Sequence, residues 1–183
     1  MTKRLLIVAH APSENTQALR AAVERGARSE TGIDVVVAAP LQAGPDDVLA
    51  AQAGGAALPP RSVVITFDDG FEDFSRTAWP LMQRHGFRPI VYLPTGFVGR
   101  AEGWRGIADP PRALMGWGTI RGLLGEGVMF GGHTVSHPDL PSLTDGALEA
   151  ELSVSQREIA DRLGTEIPHF AAPYGRTDAR VRK

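Results

Sequence analysis

Short apolar runs alternate with helical patterns along this chain. Residues 5–9 (LLIVA) are continuously apolar, as a parallel strand buried on both faces requires. A polar loop follows at 11–16. Residues 16–28 then place Leu19, Ala22, Val23 and Ala27 on one side of a helix. Residues 34–39 (DVVVAA) repeat the strand pattern. Pro45, Asp46 and Asp47 open a short helix that Gly54 and Gly55 end. The order is β-α-β-α, which predicts parallel strands.

The pattern breaks at 53–60 (AGGAALPP), small residues closing in two prolines, and this reads as a junction. The chain restarts with a strand at 62–67 (SVVITF) and a helix at 74–85, with Pro80 as a bend and Gly86 as its end. Residues 89–93 are a strand. Residues 96–118 are loop, rich in Gly and Pro. A short helix at 119–124, a strand at 128–130, a long helix at 143–163 closed by Gly164, and a strand at 168–171 complete the predicted elements. Residues 178–183 resemble the opening of a further helix. No internal repeat is evident.

The 183 residues suit one domain, or a domain and a fragment, and an apolar content of 43% is enough for a sizeable core. A net charge of −2 gives no electrostatic case for nucleic acid or an anionic membrane. With no cysteine, a metal must be held by His, Asp or Glu. The first apolar run is too short for a secretory signal, so a cytoplasmic location is expected, and no run spans a membrane.

Two motifs carry candidate chemistry. Asp68 and Asp69, in T-F-D-D-G (66–70), follow a predicted strand, where parallel α/β folds gather functional residues. Adjacent residues point in different directions, so one carboxylate can bind a metal while the other faces a water. His133 and His137, in H-T-V-S-H, are spaced i, i+4. In a helical turn this puts their Cβ atoms about 5–6 Å apart, close enough to share a metal. Two His and one carboxylate with open positions is the catalytic arrangement for zinc. Alone, D-D-G reads as a turn and H-x-x-x-H as coincidence; it is their joint placement past strand ends that points to metal-assisted hydrolysis. His10, His85 and His169 read as ordinary packing or surface residues. Trp104 and Trp117 either line a saccharide groove or pack internally.

From residue 62 onward the chain resembles the polysaccharide deacetylase family (NodB homology, carbohydrate esterase family four). The resemblance rests on T-F-D-D-G, V-Y-L-P-T-G-F-V-G (91–99), the stretch 116–140 around H-T-V-S-H-P-D-L, and F-A-A-P-Y-G (170–175). It implies a distorted (β/α) barrel that removes acetyl groups from acetylated sugars with a divalent metal, zinc or alternatively cobalt or nickel. By the same resemblance Asp69, His133 and His137 hold the metal, Asp68 is the general base, and the backbone N–H of Tyr174 stabilises the oxyanion. Both imidazoles must be neutral to bind metal, so activity should fall in acid. Many members carry Arg where this chain has Ala171. The family's later motifs, with a His general acid, would lie beyond Lys183. General acid catalysis is typically worth about 10²–10⁴-fold, so a weak or inactive enzyme is implied.

Residues 3–53 resemble the start of flavodoxin-like proteins. That resemblance makes Ser13, Asn15 and Thr16 weak candidates for an FMN phosphate, although Glu14 opposes one. The expected organisation is therefore a flavodoxin-like βαβα segment (1–53), a junction (54–61) and a C-terminally truncated, partial (β/α) barrel of the deacetylase type (62–183). The expected partner is an acetylated saccharide. The alternatives are a non-catalytic remnant that binds metal or sugar, and an FMN-binding protein. Unpaired sheet edges would invite self-association.

Overall fold

The apolar runs become strands in parallel pairs. The computed structural model describes residues 3–8, 21–22, 25–26, 28–29, 33–38, 41–42, 44–55, 57–58, 62–104 and 109–182. Two compact units divide the chain, Met1–Val63 and Val64–Lys183.

In the first unit, β1 (Lys3–Val8) pairs in parallel with β2 (Ile33–Ala38), Lys3 opposite Ile33 and Val8 opposite Ala38. Parallel strands need a crossover, and Ala21, Ala22, Arg25, Gly26 and Arg28 are helical between them. β3 (Leu41–Gln42) pairs in parallel with β4 (Ser62–Val63). Helix α1 (Pro45–Gln52) lies between these in sequence. Its start is well specified: Pro45 needs no N–H there, and the Asp47 carboxylate accepts a hydrogen bond from the Gly44 amide at 2.8 Å.

In the second unit, β5 (Thr66–Phe67), β6 (Ile90–Leu93) and β7 (Met129–Gly132) form a parallel sheet in that order. The single strand expected at 62–67 is thus two. Residues 62–63 bond to Leu41–Gln42, whereas 66–67 bond to Ile90–Val91. The apolar run is continuous, but its hydrogen-bond partners are not.

Pro80 shapes the next helix. It has no N–H for the carbonyl four residues back, and a π-helical turn (Phe74–Ala78) precedes the regular helix α2 (Trp79–Arg84). Helix α3 (Trp117–Gly125) leads into β7. The longest helix, α4 (Asp145–Leu163), is capped by Thr144, whose Oγ1 accepts from the Ala147 amide, and ends at left-handed Gly164. The core gathers Phe74, Trp79, Val91, Leu93, Met115, Ile120 and Phe130 from the sheet, α2, α3 and the intervening loop, with Ile159 of α4 beside them. Among the described residues, no helix is long and apolar enough to cross a membrane.

Two expected elements are reduced. The strand at 168–171 is a single parallel bridge between Phe170 and Gly132, since Pro168 cannot donate to a ladder. The helix expected from 178 is a turn at 179–182. There the Asp178 carboxylate accepts from the amides of Arg180 and Val181, while the Arg180 guanidinium donates to the carbonyls of Pro141 and Leu143 and to Asp145.

The packing of α4 is open to test. Ile159 is fully buried, so Ile159→Ala should cost about 2–5 kcal/mol in urea unfolding. Val154, exposed on the same helix, should tolerate Ala within about 0.5 kcal/mol. Equal costs would mean that α4 is not seated through Ile159.

Candidate metal centre

The sheet delivers side chains to one end. Asp69 follows β5, and His133 and His137 follow β7. Asp69 Oδ1 lies 3.5 Å from His133 Nε2 and 3.3 Å from His137 Nε2. One ligand atom from each of the three lies within 4.8 Å of the others, the only such group of His, Asp and Glu found among the described residues. Both imidazoles are buried and Asp69 is mostly so.

Each ligand is oriented by its surroundings. His133 Nδ1 lies 2.8 Å from the Ala171 carbonyl and donates to it, which leaves the Nε2 lone pair facing Asp69. Partial burial of Asp69 opposes its ionisation. In their protonated form the two imidazoles donate to it and outweigh that, holding it well below the usual carboxylate range. Asp69 Oδ1 is buried without a hydrogen-bond partner. An ionised carboxylate with an unpartnered buried oxygen, facing two ring nitrogens, is a donor set that fits a divalent cation with N and O ligands.

The two histidines are not on a helical turn, contrary to the i, i+4 expectation. Thr134 and His137 have φ of 71° and 57°. The segment folds back because other hydrogen bonds claim its backbone. Thr134 Oγ1 accepts from the His137 amide at 3.0 Å. The amides of Thr95 and Gly96 donate to the carbonyls of Thr134 and Val135. The Glu151 carboxylate accepts from the amides of Val135 and Ser136. A Cβ on Gly96 would meet the Val135 carbonyl oxygen at 2.7 Å, so only glycine permits that approach. Sequence reading missed Thr134 and Glu151. The one signal for Thr134 was a hydroxyl three residues before His137, the spacing of a local side-chain cap.

Asp68 stands outside the ligand group. It is exposed and lines a cavity of about 330 Å³ with Phe67, Phe71, Asp73 and Phe74. Tyr92 is raised above its ordinary pKa by burial and then by the charge of Asp68. Tyr174 sits in a short turn (Pro173–Gly175) at φ 58°, its ring edge-to-face with His137 at 4.7 Å between centroids. The Trp104 ring lies 4.5 Å from that of His137 at a 30° tilt, and meets Phe97 edge-on at 5.0 Å. Trp117 instead packs against the core. Trp104 is held near the site by its neighbour Glu102, a buried carboxylate that pairs with the amide and guanidinium of Arg112. Arg176 Nη1 bonds Asp139 Oδ2 at 2.7 Å, tying the Tyr174 turn to the histidine loop. His85 is exposed at a helix end, and His169 is buried with its carbonyl accepting from the Gly132 amide. His10, Ser13, Asn15 and Thr16 lie outside the described residues.

Comparison with known proteins bears on this site. The family model for polysaccharide deacetylase matches residues 55–183. The chain is 21% identical over 123 residues to the putative polysaccharide deacetylase YxkH of Bacillus subtilis (strain 168), covering 67% of this chain and 40% of that protein. It is 28% identical over 117 residues to a chitooligosaccharide deacetylase of Bradyrhizobium sp. (strain ANU 289), covering 63% and 47% respectively. The chain thus spans less than half the length of these curated relatives. In fold it is similar to the Streptococcus pyogenes deacetylase PplD in complex with acetate (TM-score 0.67, 20% identity, 98% of this chain and 76% of that one). It is equally similar to IcaB from Ammonifex degensii (TM-score 0.66, 20% identity, 98% and 77%). The α/β fold is therefore that of these deacetylases.

Gly70 underlies the Asp69 turn. Its φ is 67°, and a Cβ there would meet Leu93 Cδ2 at 2.6 Å. Gly70→Ala should lower stability by about 1–3 kcal/mol, read as a drop in thermal midpoint. An unchanged midpoint would mean that the turn relaxes freely.

Proposed function

Because the chain belongs to the polysaccharide deacetylase family, we propose that it is a metal-dependent hydrolase that releases acetate from N-acetylated sugars. The observation that carries this reading is the convergence of Asp69 Oδ1 with the Nε2 atoms of His133 and His137, beside a second, exposed carboxylate. Asp69, His133 and His137 would hold a divalent cation, with zinc the best match to two imidazoles and a carboxylate. When bound, such an ion polarises the acetyl carbonyl and lowers the pKa of a water.

The chain's own residues would do the rest. Asp68 takes the proton from the attacking water. The backbone N–H of Tyr174 donates to the oxyanion as charge develops on the acetyl oxygen. The C–N bond breaks as the leaving nitrogen takes up the proton that Asp68 removed from the water, giving acetate and a free amine on the sugar. Trp104 and Tyr174, the rings flanking His137, form the apolar wall against which a sugar ring would lie. In architecture, the three parallel strands and their helices are read as an arc of a (β/α) barrel. The relatives named above supply the substrate class for this proposal, an acetylated saccharide.

Metal content is the first check. Purified protein loaded with zinc should retain it near stoichiometrically, and a combined Asp69→Ala, His133→Ala variant should lose it. Absence of zinc, cobalt and nickel from the parent, with His133→Ala changing nothing, would sink the reading. Asp68→Asn should keep the metal while acetate release from N-acetylglucosamine oligomers falls about 10²–10⁴-fold. Metal uptake without any acetate release would assign the site to binding rather than catalysis.

Acidification offers a separate test. Protonating either imidazole removes a ligand, whereas Asp69 is held ionised. Zinc retention should therefore fall in acid, because a proton and the metal compete for the same ring nitrogen. Retention equally insensitive to acid in the parent and in His133→Ala would count against His133 as a ligand.

A further inference from the structure

The two histidines of the centre are separated by three residues whose backbone is neither helix nor strand, and something outside the loop must hold it. We propose that Glu151, on α4, is a positioning residue for the metal centre: its carboxylate is the fixed anion around which the His133–His137 loop is folded. This inference rests on the metal-centre reading above.

The geometry is specific. Glu151 Oε2 accepts from two successive amides, Val135 N at 2.7 Å and Ser136 N at 2.9 Å. Glu151 Oε1 accepts from Ser136 Oγ at 2.5 Å. Successive amides that converge on one acceptor form an anion-binding concavity. Their bonds to a carboxylate are charge-assisted and stronger than neutral ones. These contacts lie between left-handed Thr134 and left-handed His137, so they act on the part of the loop that carries the strain.

The carboxylate is also placed rigidly. Ser155, one turn further along α4, is fully buried and donates from Oγ to the carbonyl of Glu151 at 2.8 Å. A Cβ on Gly132, the last residue of β7, would lie 3.7 Å from that same Oγ, so helix and strand are in close contact here. The helix therefore carries Glu151 to a set distance from the strand end from which His133 emerges. Glu151 touches neither imidazole, so its influence on a metal runs through the backbone of Val135 and Ser136.

The decisive experiment measures zinc affinity by competition with a chromophoric chelator, together with amide hydrogen exchange of the metal-free protein. Glu151→Ala should weaken zinc binding about 10–100-fold. It should also speed exchange at Val135 and Ser136 at least about tenfold, with the sheet and the rest of α4 unchanged. Glu151→Gln, whose amide oxygen can still accept from both amides but without the charge, should fall between the parent and Glu151→Ala in both readouts. Glu151→Asp keeps the charge but is one methylene short. It should behave like Ala, and it serves if the Ala variant does not fold. Parent-like zinc affinity and parent-like exchange in Glu151→Ala would overturn the proposal. So would a loss matched by uniform faster exchange across α4 and the sheet, which marks a general structural role. If the parent itself binds no zinc, the metal reading fails, and the local exchange at Val135 and Ser136 still decides whether Glu151 holds the loop.

Discussion

Bringing a carboxylate and two imidazoles to one point from two strand ends forces the backbone into conformations that side chains resist. Four non-glycine residues among those described have positive φ: Asp69, Thr134, His137 and Tyr174. All four belong to the candidate site. Each such conformation costs about 1–3 kcal/mol, against a net stability of about 5–15 kcal/mol for a typical domain. The strain persists only because the surroundings over-determine it. Gly70 closes against Leu93, Gly96 against the Val135 carbonyl, and the Ala171 carbonyl fixes the His133 ring. The Thr134 hydroxyl and the Glu151 carboxylate then satisfy amides that a helical turn would have bonded internally.

The walls of the site follow the same logic of loops tied to a rigid frame. The long excursion between β6 and α3 is pinned by buried Glu102 on Arg112, whose guanidinium also lies over the Phe71 ring at 3.7 Å. Its two chain segments meet in an antiparallel bridge at Ala101 and Ala113. Burying a carboxylate is costly unless its oxygens are satisfied, and three bonds from one arginine do so. Within this frame Trp104 is held against His137. On the segment beside β7, Arg176 and Asp139 do the equivalent for Tyr174. The rings that crowd His137 limit water around the ligand group, which strengthens any electrostatic interaction made there.

Much of this was legible in the residues. Apolar runs located β1, β2, β6 and β7 to within a few residues, because strands of parallel sheets read as near-continuous apolar runs. The end of α4 was marked by a glycine suited to the left-handed stop. Ligand chemistry and position past strand ends pointed to His133, His137 and one carboxylate of the Asp68–Asp69 pair, and only the resemblance across 62–183 implied that it is Asp69. Two failures share a cause. The i, i+4 spacing of the histidines and the apolar run at 62–67 are local patterns, and each was overruled by hydrogen bonds to distant partners.

By itself, the sequence determined which segments are apolar enough to be buried, where helices start and stop, and which side chains can ligate a metal. Those properties reside in single residues and their near neighbours. Only the tertiary structure decided that residues 62–63 and 66–67 pair with different strands. It alone folded the histidine loop around Glu151, fourteen residues beyond His137. A backbone amide carries no record of which acceptor will satisfy it, and that choice is made when the chain's distant parts meet.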